Sequence, residues 1–153
     1  MALNCSACTS DKDNSKNGTN TSKVGSKDDN GITHGDSYKV KITVGNTELT
    51  ATFDAGATSQ AFREMLPVTL PMLDLYGREM CYRFQEALPT DNVSARVYEV
   101  GEIIYWPPGR SFVIMYLQNG ERISMQGMGK IESGVEVFRN IGDVEVRFEL
   151  LEN

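Results

Sequence analysis

Histidine occurs once, as His34 in Thr33-His34-Gly35. Mechanisms needing two histidines, and zinc sites built on several, are therefore excluded. Any Ser–His or Cys–His couple would have to use His34. Cys5 and Cys8 form a C-x-x-C, but no second pair or nearby histidine completes a zinc site, and no βαβ pattern follows. Gly127-Met128-Gly129-Lys130 fails as a phosphate loop, because Ser124 stands where the first glycine is needed and Ile131 follows the lysine. The carboxylates are scattered over alternating polar positions, with no clustered calcium loop. These residues assign no catalytic role, no metal ligand and no cofactor.

What remains is a set suited to recognition. Tyr105 and Trp106 precede Pro107-Pro108-Gly109, with Arg110 just after it. Arg78 and Tyr82 lie on a second segment, Tyr116 on a third, and Met125 with Gln126 on a fourth. Aromatic, methionine and arginine side chains are enriched where proteins hold peptides or small ligands. The competing reading is packing: Trp106, Phe112 and the methionines fill an interior while the arginines extend along its edge.

The elements that must position this set begin late in the chain. Residues 9–37 carry only Val24 and Ile32 as large apolar side chains. Such a stretch cannot bury enough surface to offset its chain entropy, so residues 1–37 are expected to be a disordered tether and residues 38–153 the folded domain. His34 then falls in the tether, away from any site. The chain of 153 residues has fifteen Lys and Arg against twenty-one Asp and Glu, a net charge of -6. That balance argues against a nucleic-acid partner, which requires a cationic surface. No apolar run is long enough to span a bilayer.

After position 38 a period of two takes over. Residues 39–44 alternate without a break, Gly45-Asn46 is a hairpin signal, and residues 47–53 resume the alternation. Thr58 or Ser59 is placed to cap a short helix running to Leu66, where Pro67 stops it. Extended segments follow at 68–75, 78–84 and 97–106, the last interrupted by Gly101. Residues 85–94 read as a polar connection. Pro107-Pro108-Gly109 predicts a tight turn with Gly109 in the left-handed position. Residues 112–117 are apolar on both faces, as in a central strand, and Asn119-Gly120 reads as a hairpin turn into residues 122–131. Gly127 and Gly129 predict a bulge there. A short helical turn is expected at 134–140 and a last strand at 143–150, with Val144, Val146, Phe148 and Leu150 on one face. About eight strands with one or two short helices favour a mainly β fold, an antiparallel sheet closed into a small barrel.

Several of these segments, in order, resemble a bacterial cyclophilin-like domain family. They are the hairpin from Ile42 to Phe53, Ala57-Thr58-Ser59-Gln60-Ala61-Phe62 leading to Leu66-Pro67-Val68-Thr69-Leu70, Leu75-Tyr76-Gly77-Arg78-Glu79, Glu86-Ala87-Leu88-Pro89-Thr90, residues 101–109, and Gly129-Lys130-Ile131. The resemblance implies a closed antiparallel cyclophilin-like β-barrel with a helix over one end. Members of that family mostly lack an established activity. Prolyl isomerisation would require the arginine and apolar pocket of true cyclophilins, which carry Phe-His-Arg and then Phe-Met-x-Gln-Gly-Gly. This chain has Tyr82-Arg83-Phe84 and, far downstream, Met125-Gln126-Gly127. No cyclophilin catalytic residue carries over to a numbered position. The expectation is therefore a non-enzymatic domain binding a peptide or small ligand, with a divergent peptidyl-prolyl isomerase or a structural interaction module as the alternatives.

At the other end, Ser6-Ala7-Cys8 resembles the end of a bacterial lipoprotein signal, with Cys8 the lipidation candidate and the tether a spacer. Cys5 stands where Leu is usual, and the charged and apolar regions of a signal peptide are absent from the sequence. The two readings are an envelope lipoprotein, meeting the membrane only through its lipid, and a cytoplasmic protein whose tail carries two free thiols.

Overall fold

The computed structural model describes residues 35–152. His34, Cys5, Cys8 and the rest of the segment expected to be a tether, up to residue 34, lie outside the described residues. Nine strands are present among the described residues: β1 (Tyr38–Val44), β2 (Thr47–Phe53), β3 (Val68–Leu75), β4 (Glu79–Arg83), β5 (Val93–Val97), β6 (Glu102–Trp106), β7 (Ser111–Met115), β8 (Arg122–Ile131) and β9 (Val144–Leu151). One helix, α1 (Ala57–Arg63), joins β2 to β3, and 3₁₀ turns span Pro107–Gly109 and Val135–Phe138. None of the described helices is long and apolar enough to cross a membrane.

Eight of the strands close into an antiparallel barrel in the order β2-β1-β9-β3-β4-β7-β6-β8, with β8 returning to β2. The ten-residue β8 serves three neighbours. Its later residues pair with β6 and, from Gly129 to Ile131, with β2, while Arg122–Gln126 carry β5. Gly129 makes the closing seam possible. A Cβ there would stand 2.3 Å from the Thr52 carbonyl oxygen, so only a residue without one admits β2 this closely. Beside it, Ile103 faces Gly129 and Ile104 faces Gly127, leaving Met128 as the extra residue of the expected bulge.

The alternation in β1, β2 and β9 sends Val40, Ile42, Ala51, Phe53, Val146 and Phe148 inward, all fully buried. Phe62 of α1 enters among them, its ring stacked 4.5 Å from Phe112 and 5.4 Å from Phe53, with Phe148 edge-on at 5.5 Å. Burying such a side chain is worth about 1.5–3 kcal/mol, which is how a seven-residue helix, too short to be stable alone, becomes the stopper of the barrel.

The fold departs from several of these expectations. The helix begins after Gly56, and neither Thr58 nor Ser59 caps it. Both side chains are buried and turn away: Thr58 donates to the Pro89 carbonyl at 2.5 Å, and Ser59 to Asp54 at 2.6 Å and the Met128 carbonyl at 2.9 Å. The free Ala57 N–H is taken instead by Asp91 Oδ2 at 2.9 Å. The helix ends at Arg63, because the Met65 and Leu66 N–H groups reach back only three residues, to Phe62 and Arg63. Residues 97–106 are not one strand; Val97 ends β5, and the chain turns through 98–101 before β6. In the Pro107–Gly109 turn the left-handed residue is Arg110, at φ 51°, rather than Gly109. Asn119-Gly120 lies in an irregular segment and makes no hairpin, because β7 pairs with β4 and β6, not with β8. The central position of β7 and the one-sided strand β9 match the sequence reading.

Candidate functional site

The inward face of β4, β7 and β6 carries Met80 and Tyr82, Phe112 and Ile114, Ile103 and Tyr105, all joined to the main core. The pleat sends the alternate residues outward. Cys81 lies opposite Val113, and Val113 opposite Ile104, so three apolar side chains form one row across the outside of the barrel. The next row is Arg83, Ser111 and Trp106. Tyr98, Met115 and Met125 extend the apolar row into a second small core, with Leu75 and Ile123 packed against it.

Between these rows runs a groove of about 520 Å³, floored by Cys81, Val113 and Ile104. That volume falls in the range of ligand pockets. Trp106 forms one wall and is 38 % exposed, although it is the sole tryptophan of the chain. Gly109 holds it in place: a Cβ on that residue would meet the indole Cζ3 at 2.7 Å and Ser111 Oγ at 2.9 Å. Ser111 Oγ in turn donates to the Gly109 carbonyl at 3.0 Å. The Pro107–Gly109 turn therefore sets the wall by close approach. Arg83 lies exposed at this end and, among the described residues, makes no salt bridge.

The opposite end is built around Arg78. Its Nε donates to Glu79 Oε2 at 3.0 Å and an Nη donates to Glu121. Its guanidinium also stands 5.4 Å from the Tyr76 ring and 6.0 Å from that of Tyr98. Burial pushes the Glu79 carboxyl up from its ordinary value, against the pull of Arg78. Glu121 is held below the usual carboxylate range by the hydrogen bond and charge of Arg78. The Arg78 carbonyl accepts from both Tyr116 and Leu117 N–H groups, which ties the loop after β7 to this end of the groove. Burial likewise raises the Cys81 thiol, which faces Ser111 and Arg83. Among the described residues, no group of three or more His, Cys, Asp or Glu is placed to hold a metal ion.

Of the residues singled out in the sequence, Arg78 and Trp106 meet in this groove. Tyr82, Tyr105 and Tyr116 face the main core. Tyr105 is fully buried and its hydroxyl accepts from the Leu88 N–H at 2.9 Å. The Tyr116 hydroxyl donates to Asp74 Oδ1 at 2.5 Å. Met125 is fully buried in the outer core. Gln126, also buried, accepts from the Asp91 and Asn92 N–H groups at 3.0 and 2.7 Å and holds the loop after β4 against β8. Arg110 makes a reciprocal pair with Phe84, donating from Nε to its carbonyl at 3.0 Å while its own carbonyl accepts from the Phe84 N–H. Sequence reasoning passed over Cys81, Arg83, Val113 and Ile104. The signal was present in the two apolar faces of β7, since a strand buried on both sides must have something covering its outer side.

A barrel with a stopper helix and a shallow outer groove is one arrangement that many sequences can encode. A family-wide sequence profile resolves which, matching residues 42–149 under the description Cyclophilin-like family. The chain belongs to the Cyclophilin-like family. The solution structure of a hypothetical protein from Archaeoglobus fulgidus shares the cyclophilin-like fold, with a TM-score of 0.60 at 18 % identity over 75 % of this chain and 95 % of that one. Among curated proteins no sequence matches it.

Proposed function

We propose that this cyclophilin-like barrel is a non-enzymatic binding domain that holds a peptide or small ligand in the groove outside β4, β7 and β6. The observation that carries the reading is a partly exposed tryptophan walling a groove of about 520 Å³ whose floor is the buried apolar row Cys81, Val113 and Ile104. Exposed aromatic surface next to an apolar row has a cost in water that a bound ligand removes. The sole tryptophan makes the test direct. Short peptides and small apolar molecules are titrated while the emission of Trp106 is followed, with amide shifts of Ile104 and Val113 recorded by NMR. A saturable change at all three residues is the expected result. A panel that leaves them unmoved, or that moves only residues elsewhere, removes the reading.

The isomerase alternative is separated in the same preparation. A protease-coupled assay on proline peptides that shows acceleration, abolished by Arg78→Ala or Arg83→Ala, would replace the non-enzymatic reading. Display on a bacterial envelope through Cys8 is a further part of the proposal that rests on sequence alone. Incorporation of labelled fatty acid into the full chain, lost in Cys8→Ala, tests it.

A further inference from the structure

At the Arg78 end the groove carries a carboxylate that is buried and only half engaged. Glu79 lines the groove with its side chain 10 % exposed. Arg78 donates to its Oε2, and Oε1 has no hydrogen-bond partner among the described residues. A buried acceptor without a donor is costly, and a ligand that brings the donor removes the cost. Arg78 also serves the half-exposed Glu121, so two carboxylates share one guanidinium and one negative charge is left over. The adjoining turn adds a second observation. Tyr76 and Gly77 both take the left-handed conformation, at φ 58° and 63°, in the two-residue turn that the Arg78 N–H closes onto the Leu75 carbonyl. Glycine does this freely, whereas tyrosine does it at a cost. Tyr76 recovers little of that cost by burial, since it is 77 % exposed. The strain instead holds its ring at the groove, with the Arg78 guanidinium 5.4 Å from the ring centre.

We propose that this end of the groove takes the ammonium group of a lysine side chain in an extended peptide, held by Glu79 Oε1, Glu121 and the open face of Tyr76. This deepens the binding reading above and rests on it. Ammonium fits better than guanidinium. Its three donors turn toward separate acceptors, whereas a guanidinium fork needs both oxygens of one carboxylate, and Arg78 already holds one oxygen of each. The tyrosine face beside the carboxylates adds cation–π attraction. The length of the groove favours a peptide over a small amine, since Glu79 and Arg83 stand four residues apart on β4, about 13 Å. Arg83 repels a second cation at the far end and so fixes which way the peptide lies. The chain's net charge of -6 draws a basic segment from a distance.

The probes are end-blocked hexapeptides that differ only in carrying Lys, Arg or norleucine at one position, with n-butylamine as the small amine. Each is titrated against the full chain by calorimetry. The Lys peptide is expected to bind about tenfold more tightly than the norleucine peptide, in line with the strength of a charge-assisted pair, and more tightly than the Arg peptide or the amine. That ratio should fall to about one in Glu79→Gln and to about threefold in Glu121→Gln, whose charge is the more exposed. Glu48→Gln, an exposed acid on β2 outside the groove, should leave it unchanged. Tyr76→Asn suits the left-handed turn, so it should weaken the Lys peptide severalfold without lowering the urea midpoint. A tyrosine with a structural role alone would lower the midpoint and leave binding unchanged. Circular dichroism of each variant confirms that the barrel is intact. Equal binding of the Lys and norleucine peptides, or a Lys preference that survives in both Glu79→Gln and Glu121→Gln, would overturn the inference while leaving the groove as a binding site. An Arg peptide or n-butylamine bound as tightly as the Lys peptide would overturn lysine as the occupant. Absence of binding by every peptide, with an unmoved tryptophan, would overturn the groove reading and this inference together.

Discussion

Asp91 Oδ2 accepts the Ala57 N–H at 2.9 Å, so a loop residue caps a helix that begins 34 positions earlier. The N-terminal N–H groups of a helix lack intrahelical partners, and the negative charge also complements the helix dipole. Asp91→Ala is therefore expected to lower unfolding stability by about 1 kcal/mol, with Asp91→Asn recovering most of it. Urea denaturation followed by circular dichroism reads the difference. Equal stability of the wild type and Asp91→Ala would show that solvent serves the Ala57 N–H as well.

Gln126 fastens the same loop from beneath. Its Oε1 is the shared acceptor for the Asp91 and Asn92 N–H groups. Gln126→Ala leaves both donors without that partner and should cost about 2 kcal/mol. Gln126→Glu keeps the acceptor and should cost less. Because Asp91 belongs to both arrangements, the Asp91→Ala and Gln126→Ala effects should not add, which a double-mutant cycle measures.

The seam between β2 and β8 has no room for a side chain. Gly129→Ala places a methyl 2.3 Å from the Thr52 carbonyl oxygen and 2.9 Å from the Phe53 Cα. The obstacle is backbone on both counts, so the strands themselves must part. A loss of about 3 kcal/mol is expected, with hydrogen exchange accelerating first at residues 51–53 and 129–131. Wild-type exchange protection there in Gly129→Ala would contradict this account.

Alkaline unfolding should report on Tyr116. Burial, reinforced by its hydrogen bond to the Asp74 carboxylate, pushes this phenol up to about 12. A phenol whose folded pKa is raised stabilises the fold fully below its unfolded value, near 10, and loses that contribution as pH climbs through the folded value. Stability is therefore expected to fall between about pH 10 and 12. In Tyr116→Phe this part of the fall should be absent, at the cost of lower stability near neutrality from the lost hydrogen bond. Denaturation midpoints taken across that range provide the check, and identical pH slopes for the two proteins would contradict the assignment.

The parts of the fold written in periodicity were readable in advance: β1 and β2 around Gly45-Asn46, the one-sided β9, and the bulge at Gly127–Gly129. What escaped depended on partners distant in sequence. The apolar faces of β7 announced a central strand, but not that β6 would lie between it and β8. Thr58 and Ser59 had the right chemistry for a cap, yet tertiary acceptors at Pro89, Asp54 and Met128 claimed them. The candidate site was half legible. Trp106 and Arg78 stood out by residue type, whereas Cys81, Val113 and Ile104 are ordinary strand residues whose gathering depends on three-strand register.

Lys39, near the start of β1, is the cross-strand partner of Leu151 at the end of β9. A ring of strands has no intrinsic first or last member, and here the two ends of the ring's chain are neighbours. A short linker between them, with a new break in the exposed segment at Asn119-Gly120, yields a circularly permuted barrel with every ladder preserved. The same adjacency suits the domain to insertion as a cassette within a loop of another protein, its groove still facing outward.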